Sequence, residues 1–374
     1  HHVAWAEVEP TEGTRNWAAL AALDGEIQAA TGEGLRVVLV VDSTPAWARA
    51  VPGNGTHCGP VAGEKRTAFA SFLGDLVTRY SAPPFQVSHY ALWDGLERDR
   101  FTEESQTAGC WGNPLAEDFG GSDYAAMLQG AYPALHVANP DATLLVGRLE
   151  LSSPDAGGMT FLNGVLNAGG LYDGVRLTTH DEVTEFLLPW GITTQYVSPQ
   201  WGSDWLHGGP EVLTQTQVLS PALAGKEVFV TSFLACEAEN CPLAFAEAET
   251  SYLTQLYAHA AAQGWRVLWE EGSTLASHPA YTAYQFARTA YGAATYLGPI
   301  IPSDVGGLTD VFGYKFIRNN TEVWVLWTIS TEVAEREVNF ATLPSMAFDA
   351  GGTPKAILPW VNVGPTPVYV EWWP

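Results

Sequence analysis

Acidic side chains that follow predicted strands are the residues of this sequence best suited to chemistry. Paired carboxylates can donate and accept protons, and a carboxylate can also attack as a nucleophile. The candidates share a position at or just after a predicted strand: Glu97, Glu150, Asp181, Glu182, Glu237, Glu270 and Glu271. Glu270 and Glu271 are notable because they directly follow Trp269. The alternative is that these are solvated surface charges, since the chain has 41 acidic residues and only 17 basic ones.

Aromatic side chains form the second group of candidates. The chain has 15 Trp, 14 Tyr and 15 Phe, and core and interface packing accounts for most of them. Flat rings can also stack on sugars, and three tryptophans fall in one long predicted loop: Trp190, Trp201 and Trp205. His180 either hydrogen-bonds a sugar hydroxyl or is a satisfied histidine at the end of a strand.

Strands alternate with helices along the first 290 residues. Six nearly apolar runs predict buried parallel strands: 35–41, 86–93, 143–147, 174–179, 227–231 and 266–269. Helical spacing predicts helices between them, for example over 64–80. This strict order favours a closed (β/α)8 TIM-type barrel over an open doubly wound sheet. The Gly-x-Gly-x-x-Gly pattern that opens a nucleotide-binding helix is missing from the sequence.

The pattern changes after about residue 292. Short segments of alternating polarity, separated by turn residues, predict a small antiparallel β domain. We therefore predict a barrel over residues 1–296 and a C-terminal β domain over residues 297–374.

The charge balance limits the partners. A formal net charge of −24 repels phosphate backbones and anionic lipid, so we expect neither nucleic acid nor membrane insertion. The longest strong apolar run, 37–41, is far shorter than a membrane span. The chain opens with His1 and His2 and has no initial Met, which indicates a processed or truncated product. No cofactor and no metal are predicted.

Four cysteines allow three pairings. A local disulfide between Cys236 and Cys241 would close a short acidic loop, which leaves Cys58 to pair with Cys110. Zinc is disfavoured because its sites usually show two tight cysteine pairs, and free thiols are the remaining alternative. Two disulfides predict an oxidising compartment, so we expect a secreted protein.

Several of the predicted strand ends have sequences that resemble those of a known family. The segments 5–13 (Trp-Ala-Glu-Val-Glu-Pro-Thr-Glu-Gly) and 90–97 (Tyr-Ala-Leu-Trp-Asp-Gly-Leu-Glu) are similar to stretches of the barrel glycoside hydrolases that have catalytic glutamates on strands four and seven. The β-xylosidase-like and arabinosidase-like branch of bacterial secreted proteins is the closest in appearance. Segments 175–180, 229–232 and 267–269 resemble strands six, seven and eight. The resemblance implies sugar contacts for Trp93, Asp94, His180, Trp205 and Trp269.

The same resemblance shows two departures at the catalytic positions. Gly95 stands where the family has its acid/base glutamate, and Ser232 stands where it has its nucleophile. A retaining mechanism needs two carboxyl groups about 5–5.5 Å apart, and neither residue carries one. We therefore expect a protein that has lost catalysis and binds carbohydrate or serves an extracellular assembly. The alternative is an active retaining glycosidase with displaced carboxylates, for which Glu270, Glu271, Glu150 and Glu182 are the candidates.

The start of the chain is a further departure. In the family, strand one and most of strand two precede the segment at Trp5, so only a stub of strand two is expected around residues 3–5. An open strand edge leaves backbone groups unpaired. We predict that an upstream segment of the same polypeptide or a strand from a partner chain covers this edge.

Overall fold

The computed structural model describes residues 1–51, 59–101, 111–150, 157–178, 182–188, 191–197, 223, 225–232, 243–269, 279–328 and 333–374. The chain divides into two compact units. Unit 1 comprises His1–Thr178 and Leu219–Phe229, and unit 2 comprises Thr179–Val218 and Val230–Pro374. The predicted boundary between residues 296 and 297 differs from this division and stays a prediction.

Unit 1 alternates strands and helices as the sequence predicts. In chain order its elements are β1 (His2–Ala4), α1 (Trp5–Val8), α2 (Ala21–Gly32), β2 (Val38–Asp42), α3 (Arg66–Ser81), β3 (His89–Asp94), α4 (Gly121–Ala138), β4 (Thr143–Glu150), α5 (Gly158–Asn167) and β5 (Gly174–Thr178). The spacing in α3 places apolar side chains on one face, and Phe69, Phe72, Leu76 and Tyr80 are fully buried there.

One parallel sheet organises the barrel-like part of the chain. Its strand order is β1-β2-β3-β4-β5-β8-β9, where β8 is Glu227–Ser232 and β9 is Arg266–Trp269. Within unit 1 this sheet is strongly curled. His89 of β3 and Glu227 of β8 are three strands apart, yet His89 Nε2 lies 3.2 Å from Glu227 Oε2. A flat sheet would hold those strands about 14 Å apart, since neighbouring strands are about 4.8 Å apart.

The sheet remains open among the described residues. β1 and β9 end the strand order, so an eight-stranded barrel is not closed by the part of the chain that the structure describes. The expected strand-two stub is β1, which pairs with β2 in parallel register, His2 beside Val40 and Ala4 beside Asp42. β2 pairs with β1 and β3, so strands three and eight of the predicted barrel do not close a smaller barrel directly. Coverage of the β1 edge stays a prediction.

Unit 2 combines helices with the C-terminal β strands. It contains β6 (Glu182–Leu188), β7 (Gly191–Val197), α6 (Leu243–Gln263) and α7 (Pro279–Tyr291), together with the C-terminal strands β10 (Thr295–Pro299), β11 (Val311–Arg318), β12 (Thr321–Thr328), β13 (Arg336–Asn339), β14 (Met346–Phe348), β15 (Trp360–Val363) and β16 (Val368–Trp372). The predicted antiparallel domain is present as a sheet in the order β10-β11-β12-β16-β14 and a β13–β15 pair. The β6–β7 hairpin lies where the sequence predicts only a loop. None of the described helices is long and apolar enough to cross a bilayer.

A buried histidine marks the core where α6 packs against the C-terminal sheet. His259 is 2% exposed, and its Nδ1 lies 2.5 Å from the hydroxyl of Tyr314 on β11. Its ring also packs edge-on against Trp327. Burial disfavours the imidazolium and lowers the pKa of His259 to about 3. The folded protein therefore keeps this side chain neutral across the mildly acidic range.

We expect this histidine to reduce stability as the pH falls. An unfolded chain binds a proton at His259 near pH 6.5, whereas the folded chain does so only near pH 3. The stability that the protein gains from keeping His259 neutral is thus complete above pH 6.5 and is lost progressively between pH 6.5 and 3. Relative to His259→Gln, which does not titrate, the free energy of unfolding should fall by about 2 kcal/mol between pH 7 and pH 5. Urea titrations of both proteins measure this; an identical pH dependence would contradict the assignment.

Candidate functional site

Charged side chains meet at the carboxyl ends of the strands of unit 1. Asp94, the last residue of β3, accepts a hydrogen bond at Oδ1 from Arg176 of β5 at 2.7 Å. The same oxygen accepts the backbone N–H of Arg148 at 3.1 Å. Both partners of the ion pair are buried, with side chains 4% and 7% exposed. The second carboxylate oxygen, Asp94 Oδ2, is buried and accepts no hydrogen bond from the described residues, which is uncommon for a buried polar atom.

A bend in β3 explains why Asp94 reaches Arg176. His89, at the start of β3, contacts β8 across the curled sheet, so strict alternation would turn Trp93 to that same face. Trp93 instead has φ of +57°, a left-handed conformation that is rare for a bulky residue. Its ring packs against Phe69 of α3 and against Trp111, on the helix side of the sheet. Asp94 therefore faces the interior instead of Trp93, because a bulge changes the face to which the following side chain points.

Gly95 and Ser232, which the sequence resemblance assigns to the catalytic positions, carry no carboxyl group, and that assignment stays a prediction. Gly95 directly follows β3 with φ of +61°, and its N–H donates to the carbonyl of Arg148 at 3.0 Å. Glycine adopts this left-handed backbone at little cost, whereas other residues are strained by it. Ser232 is the last residue of β8 and belongs to unit 2. Neither position offers an acid or a strong nucleophile.

A histidine that the sequence did not single out begins β1, and its imidazole contacts Asp42 at the carboxyl end of β2. His2 Nδ1 is 2.9 Å from Asp42 Oδ2, and Ser43 Oγ donates to Asp42 Oδ1 at 2.7 Å. The hydrogen bond to Asp42 raises the pKa of His2, and the charges of Asp42 and Asp94 act in the same direction. Burial and the chain's amino terminus oppose this shift. The imidazolium form of His2 therefore persists to a higher pH than that of an ordinary histidine.

The predicted sugar contacts divide into four groups. Asp94 lies at the strand-end cluster as described above. Trp93 is fully buried among aromatic rings, so in this structure it contributes packing, and a role in a sugar subsite stays a prediction. Trp269 ends β9 in unit 2. His180 and Trp205 lie outside the described residues.

Only two of the four candidate displaced carboxylates, Glu150 and Glu182, lie within the described residues. Glu150 ends β4, in the same unit as Asp94, and Glu182 begins β6 in unit 2. Glu97 is described and is 7% exposed. The other predicted residues lie outside the described part of the chain: Asp181, Trp190, Trp201, Glu237, Glu270, Glu271, Cys58, Cys110, Cys236 and Cys241. The two disulfides stay predictions. Within the described ranges no group of three or more His, Cys, Asp or Glu side chains is placed to hold a metal ion.

Four residues of this cluster were not predicted from the sequence: His2, Asp42, Ser43 and Arg176. One signal was present for Asp42, because a carboxylate that directly follows a buried apolar run sits at a strand end. His2 gave no such signal, since its partner is 40 residues away and depends on the β1–β2 register.

Comparisons with known proteins were made for sequence and for structure. No protein-family model matches the chain, and no curated protein matches it. Solved structures do match. A GH30 endoxylanase from Clostridium papyrosolvens C71 superposes with a TM-score of 0.59 at 11% identity, covering 99% of this chain and 87% of that one. A conserved exported protein from Bacteroides fragilis gives 0.64 at 11% identity, covering 96% and 81%.

A third match is a family 30 subfamily 8 xylanase from Clostridium acetobutylicum, with a TM-score of 0.57 at 10% identity, covering 95% of this chain and 84% of that one. Identities this low establish a shared fold and leave activity open. The chain therefore has a glycoside-hydrolase-like α/β fold, with a curled parallel sheet of seven strands and a C-terminal antiparallel sheet.

Proposed function

We propose that the protein is an extracellular relative of barrel glycoside hydrolases that binds carbohydrate and has lost the family's hydrolytic mechanism. The observation that carries the proposal is Gly95, which has a left-handed backbone and no side chain and which the sequence resemblance assigns to the acid/base position. Ser232 at the nucleophile position supports it. A cluster of charged side chains around Asp42 and Asp94 suits hydroxyl groups.

Export is part of the same proposal. One structural relative is an exported protein, and the predicted disulfides would need an oxidising compartment. A structural role in an extracellular assembly is the second non-catalytic possibility within this proposal. A glycan array separates the two roles, because only the carbohydrate-binding role predicts saturable binding to glycans.

An active glycosidase with displaced carboxylates is the competing function. Asp94 favours this competing function, because a carboxylate oxygen that accepts no hydrogen bond from the described residues can accept a proton. Hydrolysis of a panel of aryl glycosides tests this directly. Release of the aryl group by the unmodified protein would support the competing function over the proposed one.

Restoring both family carboxylates should create weak hydrolysis. We expect Gly95→Glu combined with Ser232→Glu to release the aryl group from a β-glycoside faster than the unmodified protein, because the pair supplies an acid/base and a nucleophile. The gain should be small, since glutamate is strained at the φ of Gly95. Gly95→Gln combined with Ser232→Gln carries the same strain without carboxyl groups, so it is the matched control. Equal rates for both double variants would contradict the positional assignment.

A further inference from the structure

The arrangement around His2 resembles a side chain held ready for a ligand. Its Nδ1 is fixed by Asp42 Oδ2 at 2.9 Å, and the other carboxylate oxygen of Asp42 accepts the hydroxyl of Ser43 at 2.7 Å. A carboxylate bound to Nδ1 orients an imidazole and leaves Nε2 for other partners. Among the described residues no group hydrogen-bonds His2 Nε2, and the side chain is 44% exposed. The ring is therefore held in place through its Nδ1 atom.

The backbone that carries these groups is constrained as well. Ser43 follows the last residue of β2 with φ of +63°, is 1% exposed, and accepts the N–H of Ala6 at its carbonyl at 2.8 Å. A left-handed serine that is buried and fixed in this way is uncommon, and such residues concentrate at functional sites. The conformation places the Ser43 hydroxyl on Asp42, which in turn fixes the ring of His2.

The charges near His2 indicate which ligand would suit it. The titratable groups that act on it are Asp42 on β2, Asp94 on β3 and the chain's amino terminus. Asp42 offsets the positive charge of an imidazolium and Asp94 offsets that of Arg176, so these pairs leave no excess positive charge for an anion, and a chain of net charge −24 repels anions further. A hydroxyl group fits, because its oxygen can accept from an imidazole N–H.

We propose that His2 is a ligand-binding residue of the strand-end site, where its Nε2–H donates a hydrogen bond to a hydroxyl of a neutral glycan. The inference rests on the proposed carbohydrate-binding function and adds a specific residue to it. Asp42 acts through His2 and is a positioning residue. Ser43 supports Asp42 in the same way.

The neighbouring histidine supplies a matched control. His1 is one residue away, and its Nδ1 lies 3.2 Å from Glu26, whose side chain is 56% exposed. We would measure binding of the unmodified protein, His2→Gln and His1→Gln to an array of immobilised neutral glycans, then titrate the strongest responder in solution at pH 6. His2→Gln should bind at least about tenfold more weakly, as expected for loss of a charge-assisted hydrogen bond, and His1→Gln should stay within about twofold.

The pH dependence of binding and a variant of Asp42 test the role of His2 further. Binding by the unmodified protein should weaken as the pH rises through the raised pKa of His2, and this dependence should be absent in His2→Gln. Asp42→Asn keeps the size of the side chain but loses its charge, so it should weaken binding several-fold with an unchanged circular dichroism spectrum. If His2→Gln and Asp42→Asn bind as His1→Gln does, the role of His2 is wrong while the proposed function stands. If the unmodified protein binds no glycan, both fail.

Discussion

Replacing Arg176 by methionine should lower the free energy of unfolding by about 3–5 kcal/mol, because it leaves the carboxylate of Asp94 buried without its cation. The pair is almost closed to solvent, with Arg176 4% and Asp94 7% exposed at their side chains. Methionine keeps much of the volume of the arginine stem, so lost packing contributes little. Urea unfolding at pH 7 measures the change.

A double variant separates charge from packing. Asp94→Leu together with Arg176→Met removes both charges, and it should be more stable than Arg176→Met alone. Lys65→Met is the matched surface control: Lys65 pairs with Glu12 at 2.7 Å, but the side chains are 25% and 51% exposed. That pair should be worth under about 1 kcal/mol. A loss at Arg176 no larger than the loss at Lys65 would contradict the buried-pair description.

Gly147→Ala should destabilise the protein by at least about 4 kcal/mol or prevent folding. Gly147 lies in β4 beside the bend of β3, and an added Cβ would lie far inside van der Waals contact with the carbonyl oxygens of Trp93 and Leu92. Those are backbone atoms, so the bend that turns Asp94 inward would have to move. The thermal midpoint of unfolding, or the soluble yield, reports the effect.

The control for this substitution is another glycine in the same unit. Gly130 lies in α4, and a Cβ there would meet only the side chain of Ala70 at 3.7 Å, an ordinary contact. Gly130→Ala should stabilise the protein by about 0.5–1 kcal/mol, as expected for alanine within a helix. If both glycines tolerate alanine equally, the close approach of β3 and β4 is wrong.

Local sequence patterns predicted the order of elements well. The apolar run at 35–41 and the one-sided helix at 64–80 appear as β2 and α3, because short-range periodicity reports which side is buried. The antiparallel character of the C-terminal strands followed from alternation in the same way. The β6–β7 hairpin was missed because its strands lie within a stretch that the turn and aromatic residues mark as a loop.

The candidate site was harder to predict than the fold. Alternation along β3 would place Trp93 inward, but its left-handed φ sends the ring to the helices and turns Asp94 inward. Position 93 is a tryptophan and not a glycine, so the sequence gives no indication of the bend. Arg176 and His2 find their partners 82 and 40 residues away, so only the folded sheet brings them to the site. Gly95, in contrast, was singled out from the sequence because the resemblance leads us to expect a carboxyl group there, and this assignment stays a prediction.

The most direct test of the account is the rate at which the unmodified protein releases the aryl group from a panel of aryl β-glycosides. Because the sequence resemblance assigns glycine and serine to the two catalytic positions, we predict release no faster than in buffer alone. Turnover in the ordinary enzymatic range, about 1–1000 per second, would contradict the loss of catalysis and would require a displaced pair of carboxylates.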